Sequence, residues 1–326
     1  MFNFSLDQET KADAFERINK WDLLIVGGGP AGLNAALYAK RKGLEVGLVA
    51  DELGGQLHNT SLVDNYLGIN AIQGADLSRV FVEHLKALDV PILKGVRVKK
   101  IATHGPDYTI HVSNGKEYLT KTVLLTTGGT SRKLGIPGED EFANKGVTYC
   151  ATCDGPFFKD KHVVVAGGGN SAVEGVLDMV PWASEITLVH RSQFRADKIL
   201  IDQLDAVKGL DIYLETQILS VIGNDKMTGI QVLDKQTNEK RVIQADGLLI
   251  EIGTIPNSDL VRDLVETNAS GEVLVDAHQM TSLPGLFAAG DVTEQPFKQI
   301  VIAVAEGAKA ALAISQYLKQ NYKGEK

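Results

Sequence analysis

Residues 22–32 read DLLIVGGGPAG, and this stretch decides the class of fold. Its first five residues, Asp22–Val26, are almost wholly apolar, which is typical of a strand buried inside a parallel sheet. The glycines that follow open an Ala-rich helix, expected from Leu33 to about Lys42, and the next apolar run, Leu44–Ala50, predicts a second strand. This order predicts a dinucleotide-binding βαβ unit, because the Gly-rich turn lets backbone N–H groups at a helix N-terminus approach a pyrophosphate.

The same arrangement occurs a second time, 140 positions further along the chain. Residues 162–172 read HVVVAGGGNSA, the helix after them is predicted to stop before Pro181, and Glu185–Val189 predicts the following strand. One Gly-rich motif of this kind is often only a tight turn, whereas two copies, each between an apolar strand and a helix, are specific. The sequence therefore predicts an α/β protein with two Rossmann-like dinucleotide-binding units.

The end of the second strand in each unit distinguishes the two nucleotides, because the adenosine ribose lies there. Asp51 follows Gly32 by 19 residues, and a carboxylate at that place accepts hydrogen bonds from a free 2′-OH, as in FAD. The second unit ends instead in His190 and Arg191, with Arg195 close behind. Guanidinium groups suit the 2′-phosphate of NADP(H). The alternative for these arginines is that they are solvated surface charges.

A third segment, Leu286–Asp291, completes the first site. It is an apolar strand that ends in Gly-Asp, and Lys298-Gln299-Ile300 opens a long helix expected to reach about Leu318. Asp291 is well placed to bind a ribityl hydroxyl of a flavin, and a helix N-terminus directed at the pyrimidine end of the ring stabilises the negative charge of reduced flavin. The alternative role for Asp291 is a helix cap or turn.

Because this third segment follows the second unit, the sequence predicts that one domain is inserted in the other. The FAD-binding domain is expected to comprise residues 1–128 and 253–326. The NAD(P)H-binding domain is expected to comprise residues 129–252 and to carry both cysteines. Each domain is predicted to be built from three layers in the order ββα.

The two cysteines of the chain, Cys150 and Cys153, are three positions apart. Such a pair can close a small disulfide ring, and one of its thiols can have a lowered pKa that makes it an effective nucleophile. A zinc site requires about four ligands, and only His162 is nearby in sequence, so the spacing favours redox chemistry. Asp154 suits a carboxyl group that delivers and removes the proton of disulfide reduction. The alternatives are a turn residue for Asp154 and an inert pair of buried thiols for the cysteines.

The composition disfavours several other functions. The 326 residues carry a formal net charge of −8 without a Lys/Arg block, so no nucleic-acid partner is expected. A run of about 18 apolar residues is lacking, so no membrane span is expected. Residues 1–20 lack the apolar core of a secretory signal and predict a short polar helix. One close cysteine pair, instead of several spaced cysteines, predicts a cytoplasmic protein.

Together these motifs resemble the low-molecular-weight thioredoxin reductases, over about Asp22 to Leu318. The matching stretches are GGGPAG from Gly27, GGQL from Gly54, CATCDG from Cys150, GGGNSA from Gly167, HR…FRA from His190 and AAGD…KQI from Ala288. The flavoprotein subunit of alkyl hydroperoxide reductase shares this core, and CDGP and KQIVIA look closer to it. That subunit carries extra N-terminal thioredoxin-fold domains, whereas about 20 residues precede the first predicted strand here. Electrons are therefore expected to pass to a separate protein.

The resemblance implies a homodimer in which NADPH reduces FAD and the electrons reach thioredoxin or a thioredoxin-like protein. It also implies that Cys153 faces the flavin, that Cys150 attacks the partner disulfide and that Asp154 is the acid. The residues predicted to bind FAD are Gly27, Gly29, Pro30, Ala31, Gly32, Asp51, Gly55, Gln56, Leu57, Asn65, Gly128, Gly290, Asp291, Lys298, Gln299 and Ile300. The residues predicted to bind NADP(H) are Gly167, Gly169, Asn170, Ser171, Ala172, His190, Arg191 and Arg195.

The nucleotide-binding stretch departs from the family pattern. The family usually has His-Arg-Arg, three further residues and then Arg, whereas residues 190–195 read HRSQFR, with one Arg missing and one residue fewer. NADH, use of both nucleotides, and ferredoxin therefore stay open as electron donors. A peroxiredoxin or a glutaredoxin-like protein is the alternative partner, and a flavin-binding redox sensor is the alternative outside the enzymes.

Overall fold

The structure is a computed structural model that describes residues 15, 17–60 and 62–323, so most of the helix predicted over residues 1–20 lies outside the described residues. The chain forms two compact units. Unit 1 runs up to Thr130 and resumes at Ile255, and unit 2 is Ser131–Thr254. Unit 2 is thus an insertion in unit 1, and the divisions lie two residues beyond the predicted boundaries 128/129 and 252/253.

The helices and strands follow one another in three groups. The first part of unit 1 contains β1 Trp21–Gly28, α1 Pro30–Arg41, β2 Val46–Leu53, β3 Leu62–Val63, β4 Ile72–Gln73, α2 Gly74–Lys86, β5 Ile92–Lys94, β6 Val98–His104, β7 Asp107–Val112, β8 Glu117–Leu125 and β9 Gly129–Ser131. Unit 2 contains β10 Val147–Thr148, α3 Ala151–Asp154, β11 His162–Ala166, α4 Asn170–Met179, β12 Glu185–Val189, α5 Lys198–Leu204, β13 Leu210–Tyr213, β14 Thr216–Gly223, β15 Met227–Asp234, β16 Lys240–Gln244 and β17 Gly247–Ile250. The returning chain adds β18 Thr254–Pro256, β19 Leu286–Ala288 and α6 Ile300–Asn321.

Unit 1 is built on a seven-stranded sheet in the order β5-β2-β1-β8-β7-β6, with β19 paired to β8. β1 lies parallel between β2 and β8, with Leu23 opposite Val46 on one side and Thr122 on the other. The strands of the parallel part are buried on both faces, one of them covered by α1 and α6. Because these strands are parallel, the carboxyl ends of β1, β2 and β19 meet at one edge, directly beside the first Gly-rich turn.

Unit 2 is built on a parallel sheet in the order β10-β17-β11-β12-β13. Along β11 the side chains alternate: Val163 and Val165 pack with the apolar face of α4, whereas Val164 faces the antiparallel sheet β14-β15-β16 through Ile230. A strand covered on both sides has no polar face, which explains why residues 162–166 form an almost continuous apolar run. The layers of unit 2 therefore follow the predicted ββα order. The α/β class with two Rossmann-like units is confirmed.

The bounds of several elements differ slightly from those predicted. β11 and β12 have the predicted bounds. β2 starts two residues after the predicted start at Leu44 and continues to Leu53, because Leu53 still pairs with Gly28. α1 begins three residues early, at Pro30, since the fixed φ of proline suits the first position of a helix.

One helix of unit 1, α6, is long and apolar enough to cross a membrane by length and composition alone, which was not predicted from the sequence. Its small and branched residues Ala303, Ala310 and Ile314 are buried in the core against α1. Apolar residues also lie on the exposed side of this helix, such as Val301 and Leu312. Packing against α1 therefore accounts for the buried side of α6 only.

Candidate active site and cofactor sites

A threonine at the end of β8 holds the first Gly-rich turn against the sheet. Gly27 has a φ of 118°, and a Cβ on it would come within 2.6 Å of the Thr126 carbonyl carbon. A Cβ on Gly32 would come within 2.6 Å of the Thr126 Oγ1. That hydroxyl donates to the carbonyl oxygens of Val26 and Gly27, at 3.1 and 3.0 Å. Both positions therefore require glycine, and the N-terminus of α1 is fixed at the end of β1.

Gly29, the last glycine before α1, borders an open space. Among the described residues, no heavy atom lies within 4 Å of a Cβ built on Gly29, so the protein's own packing does not require a glycine there. The Gly54 N–H donates to the Gly28 carbonyl oxygen at 2.7 Å, and a Cβ on Gly55 would lie 3.2 Å from the Gly29 Cα. The GGQL stretch therefore borders the same space at the N-terminus of α1, an arrangement that fits a dinucleotide pyrophosphate.

Asp291, predicted to bind the ribityl chain, is held at its carboxylate by Gln56 and at its backbone carbonyl by Lys298. Gln56 Nε2 donates to Asp291 Oδ2 at 2.9 Å. Lys298 Nζ donates to the carbonyl oxygens of Asp291 and Thr293, at 3.3 and 2.7 Å, and pairs with Glu272 Oε1 at 2.9 Å. Burial raises the pKa of the Asp291 carboxyl, and the Lys298 ammonium opposes that shift. Lys298 therefore fixes the loop around Asp291.

Glu306, a buried carboxylate on α6 that was not predicted from the sequence, anchors the same turn. Its Oε2 accepts the Gly290 N–H at 2.7 Å, and its Oε1 accepts Gln295 Nε2 at 2.7 Å. The turn lies against the start of α1, because a Cβ on Gly290 would come within 3.0 Å of the Ala31 Cβ. The one available sign in the sequence was a carboxylate on the apolar face of a helix.

Two further segments predicted to bind the flavin meet at the start of α6. Asn65 Nδ2 donates to Gln299 Oε1 at 3.3 Å. Ile300 packs with Leu57 in a small apolar cluster. The structure therefore brings together residues that are more than 230 positions apart in the sequence, such as Asn65 and Gln299.

Asp51 and Gly128 lie in surroundings that the sequence did not indicate. Asp51 is inside β2, two residues before its end, and its Oδ2 pairs with Arg97 Nε at 2.6 Å. The Gly128 carbonyl oxygen accepts the Asn257 N–H at 2.9 Å. Roles for Asp51 at a ribose and for Gly128 at a flavin stay predictions.

In unit 2 the second Gly-rich turn lies under a histidine ring. A Cβ on Gly168 would come within 2.5 Å of His190 Nε2, and the Arg195 N–H donates to the Gly168 carbonyl oxygen at 2.7 Å. Among the described residues, no heavy atom lies within 4 Å of a Cβ on Gly169, so this turn also borders open space. The predicted residues at the turn and in the first turn of α4 are Gly167, Gly169, Asn170, Ser171 and Ala172.

The loop after β12 presents two guanidinium groups beside this turn. Arg191 and Arg195 are exposed, and neither forms an ion pair within the described part of the chain. Burial lowers the pKa of His190, and the positive charges of Arg195 and Arg191 lower it further. Asn170 and Asp197 tie the loop to α4 through reciprocal hydrogen bonds of 2.8 and 2.9 Å. The guanidinium groups of Arg191 and Arg195 form a positive rim beside the neutral imidazole of His190.

Cys150 and Cys153 are joined by a disulfide at the start of α3, with their Cα atoms 5.3 Å apart. The Cys153 N–H points at the Cys150 sulfur, 3.2 Å away, and the Cys150 N–H donates to Thr148 Oγ1 at 3.3 Å. A backbone donor aimed at Cys150 stabilises negative charge on that sulfur when the bond is cleaved.

Asp154 lies at the other end of α3 and is held by the hydroxyl of Thr148, which donates to its carboxylate. Burial raises the pKa of Asp154, and the hydrogen bond from Thr148 opposes that shift. A carboxyl group with a raised pKa holds a proton closer to neutral pH, as an acid for disulfide chemistry must. No group of three or more His, Cys, Asp or Glu side chains within the described residues could hold a metal ion.

Two dinucleotide-type turns and a short-loop disulfide beside a buried carboxyl define a class of redox enzyme, the nucleotide-dependent disulfide oxidoreductases. The family model described as "Pyridine nucleotide-disulphide oxidoreductase" matches residues 21–307. The chain belongs to this family, and the match implies a flavin and a pyridine nucleotide.

F subunits of alkyl hydroperoxide reductase are among the similar curated proteins. The protein from Staphylococcus aureus is 39% identical over 317 residues, which are 97% of this chain and 62% of the relative. The protein from Pseudomonas putida is 41% identical over 320 residues, with 96% and 62% covered. The chain thus spans about three fifths of the length of these relatives.

Thioredoxin reductases are among the similar solved structures. The enzyme from Streptococcus pyogenes has a TM-score of 0.88 and 37% identity, covering 93% of this chain and 99% of that one. The enzyme from Giardia duodenalis has a TM-score of 0.88 and 29% identity, covering 93% and 100%. The predicted resemblance to thioredoxin reductases, with a core shared with an alkyl hydroperoxide reductase component, is therefore confirmed.

Proposed function

We propose that the protein is an FAD-dependent reductase that takes electrons from NADPH and passes them, through Cys150–Cys153, to a thioredoxin-like protein. The observation that carries the proposal is the disulfide at the start of α3, in the unit that also has a nucleotide-type turn and a positive rim. The thioredoxin reductases that match nearly the full length of the chain support it.

The residues of unit 1 fit a flavin dinucleotide. The open space beside Gly29 and Gly55 would hold the pyrophosphate, and Asp291, fixed by Gln56, would bind the ribityl chain. When bound, the flavin supplies two-electron transfer between a nicotinamide and a disulfide. The chain itself would position the cofactor through the Gly290 turn, which Glu306 fixes.

The chemistry on the protein side is thiol–disulfide exchange. After the Cys150–Cys153 bond is cleaved, the Cys150 thiolate attacks a disulfide of the partner and forms a mixed disulfide, and the departing partner sulfur takes a proton. Cys153 then attacks the Cys150 sulfur, which restores the intramolecular disulfide and releases the partner as a dithiol. Asp154 holds the proton that these steps exchange.

NADPH is proposed over NADH because Arg191 and Arg195 form an exposed pair of positive charges beside His190. Two guanidinium groups suit a doubly charged 2′-phosphate better than a ribose hydroxyl. Stopped-flow bleaching of the flavin by NADPH and by NADH tests the choice. Faster bleaching by NADH at equal concentration would contradict it.

The names of the curated relatives favour a second candidate, a reductase whose partner is a peroxiredoxin-type protein that removes hydroperoxides. A panel of a thioredoxin, a glutaredoxin and a peroxiredoxin, each oxidised and offered with NADPH, separates the two. A partner reduced at least tenfold faster than the others identifies the pathway.

The decisive experiment compares wild type with Cys153→Ser and Cys150→Ser. In both variants NADPH should still bleach the flavin, because unit 1 and the second Gly-rich turn are unchanged, but no partner disulfide should be reduced. Thr152→Ser is the matched control within the same loop and should stay active. Partner reduction by either cysteine variant would refute the disulfide relay.

A homodimer and a cytoplasmic location are also proposed. The homodimer rests on the family resemblance, and the location on the use of a single close cysteine pair. Light scattering of the purified protein tests the first, and fractionation of the source cells tests the second.

A further inference from the structure

A second carboxyl group, Glu251, leaves the parallel sheet of unit 2 beside the disulfide. In the parallel pair β10·β17, Thr148 lies opposite Leu249. Two residues beyond these partners the chains reach Cys150 and Glu251, so both leave the same edge of the sheet side by side. Cys150 and Glu251, which are 101 positions apart in the sequence, are thereby neighbours.

The side chain of Glu251 is partly buried under α4, near the start of α3. A Cβ on Gly175 of α4 would come within 3.2 Å of Glu251 Cγ and of Leu249 Cδ2, so the missing side chain of Gly175 makes room for the carboxylate. The backbone of Ala151, the residue that directly follows Cys150, lowers the pKa of the Glu251 carboxyl group. Glu251 therefore lies beside the short loop that the disulfide closes.

Charged groups around Glu251 come from both helices packed on it. Burial raises the pKa of Glu251 to about 7, the backbone of Ala151 opposes the shift, and the negative charges of Asp178 and Glu174 on α4 add to it. The titratable group on α3 is Asp154, whose carboxylate is engaged by Thr148, because the two cysteines at this helix are joined in a disulfide. This pKa of Glu251 applies to the form of the protein in which Cys150 and Cys153 are joined in a disulfide.

We propose that Glu251 takes up a proton when the Cys150–Cys153 disulfide is reduced. The inference rests on the proposed function, because it requires that this disulfide cycles. Two electrons, from a reduced flavin or an external dithiol, break the Sγ–Sγ bond; one sulfur takes a proton and the other stays a thiolate. The new negative charge raises the proton affinity of the nearby carboxylate, and a second proton goes to Glu251. The thiolate thus replaces the Glu251 carboxylate as the negative charge. The region around the two cysteines therefore does not carry two negative charges from these groups at once.

The experiment measures the equilibrium between the protein and oxidised and reduced dithiothreitol from pH 5.5 to 9. The full-length holoprotein is used, and alkylation of its two cysteines is counted by mass. Above about pH 7, oxidised wild type has lost the Glu251 proton that the reduced form retains. Above that pH, the equilibrium constant for reduction of the wild-type disulfide should therefore fall by an additional factor of ten per pH unit, compared with that of Glu251→Gln. This factor corresponds to about 30 mV per pH unit in reduction potential.

Asp178→Asn is the matched control, because it removes a neighbouring carboxylate and leaves Glu251 itself unchanged. It should keep the additional tenfold slope, with its onset at a lower pH, because one of the charges that raise the pKa is gone. Redox-difference infrared spectra at pH 8 give a direct readout: reduction should produce a protonated carboxylic-acid band in wild type and not in Glu251→Gln. Glu251→Ala, which also abolishes the titration, serves if the glutamine variant does not fold.

The outcomes separate the two proposals. A disulfide that reduces normally, with the same pH slope in wild type and in the Glu251 variants, overturns the role of Glu251 and leaves the proposed function intact. A disulfide that dithiothreitol cannot reduce at any pH overturns the proposed function and this inference with it. A slope that disappears only in the Glu251 variants supports the inference.

Discussion

Replacing Glu306 by alanine tests whether a buried carboxylate on α6 holds the turn that carries Asp291. Glu306 is 7% exposed and accepts two hydrogen bonds of 2.7 Å, from the Gly290 N–H and from the Gln295 amide. Alanine accepts neither. Gln295 is partly exposed and can turn to water, whereas the Gly290 N–H is buried and stays without a partner.

The magnitude follows from these two contacts. A buried donor left unsatisfied costs about 1–3 kcal/mol, and a hydrogen bond to a charged group contributes about 1.5–3 kcal/mol. Removing a buried carboxylate also removes its desolvation penalty, which offsets part of the loss. We expect the free energy of unfolding of unit 1 to fall by about 2 kcal/mol. Flavin affinity should fall by about 30-fold if the freed turn must be ordered again on binding.

Urea unfolding followed by tryptophan fluorescence measures the first quantity. The chain has two tryptophans, Trp21 in unit 1 and Trp182 in unit 2, so a Trp182→Phe background makes Trp21 the reporter of unit 1. Glu306→Gln, which keeps an acceptor for Gly290, is the control and should lose less than half as much. An alanine variant within about 0.5 kcal/mol of wild type would show that the carboxylate does not support the turn.

Three further predictions concern unit 2. Arg191→Ala should raise the KM for NADPH by about 5- to 150-fold, the loss of one charge-assisted contact of about 1–3 kcal/mol, and leave the KM for NADH nearly unchanged; equal losses would argue against a 2′-phosphate site. Asp154→Asn should slow reduction of the disulfide by about 100-fold or more in stopped-flow measurements while NADPH bleaches the flavin at the wild-type rate, and a normal rate would remove Asp154 as the acid. Glu251→Gln should flatten the pH dependence of stability. Folded wild type keeps the Glu251 proton up to about pH 7, whereas the unfolded chain releases it near 4.5, so the free energy of unfolding falls as pH rises through that window. If urea unfolding shows that the free energies of unfolding of variant and wild type change equally between pH 4.5 and 7.5, this last expectation is wrong.

The fold was predictable because its deciding interactions are local. The buried strand at residues 162–166 has an apolar side chain at nearly every position, and the turn after it needs glycine for backbone reasons visible in the sequence. The first Gly-rich turn was equally legible, although Thr126, which makes Gly27 and Gly32 obligatory, comes about 100 residues later. A contact partner at that distance leaves no local periodic trace.

The candidate sites were predictable in part. Cys150 and Cys153 were identified from their spacing alone, and their joining in a disulfide agrees with that chemistry. Glu306 was missed because its neighbours in the sequence make up an ordinary apolar helix face, and Glu251 because a carboxylate after a strand usually faces solvent. Both acquire their surroundings from tertiary packing, as does the pairing of Asp51 with Arg97.

The interleaved order of the two units has a consequence for biosynthesis. β19 pairs with β8, and α6 packs on α1, so the sheet and helix layer of unit 1 require segments that are synthesised before and after unit 2. Unit 2 is one continuous stretch and can acquire its tertiary structure as soon as it has left the ribosome. Until α6 emerges, the growing polypeptide exposes the apolar face that α6 later covers, which makes this interval the stage at which a chaperone would be needed most.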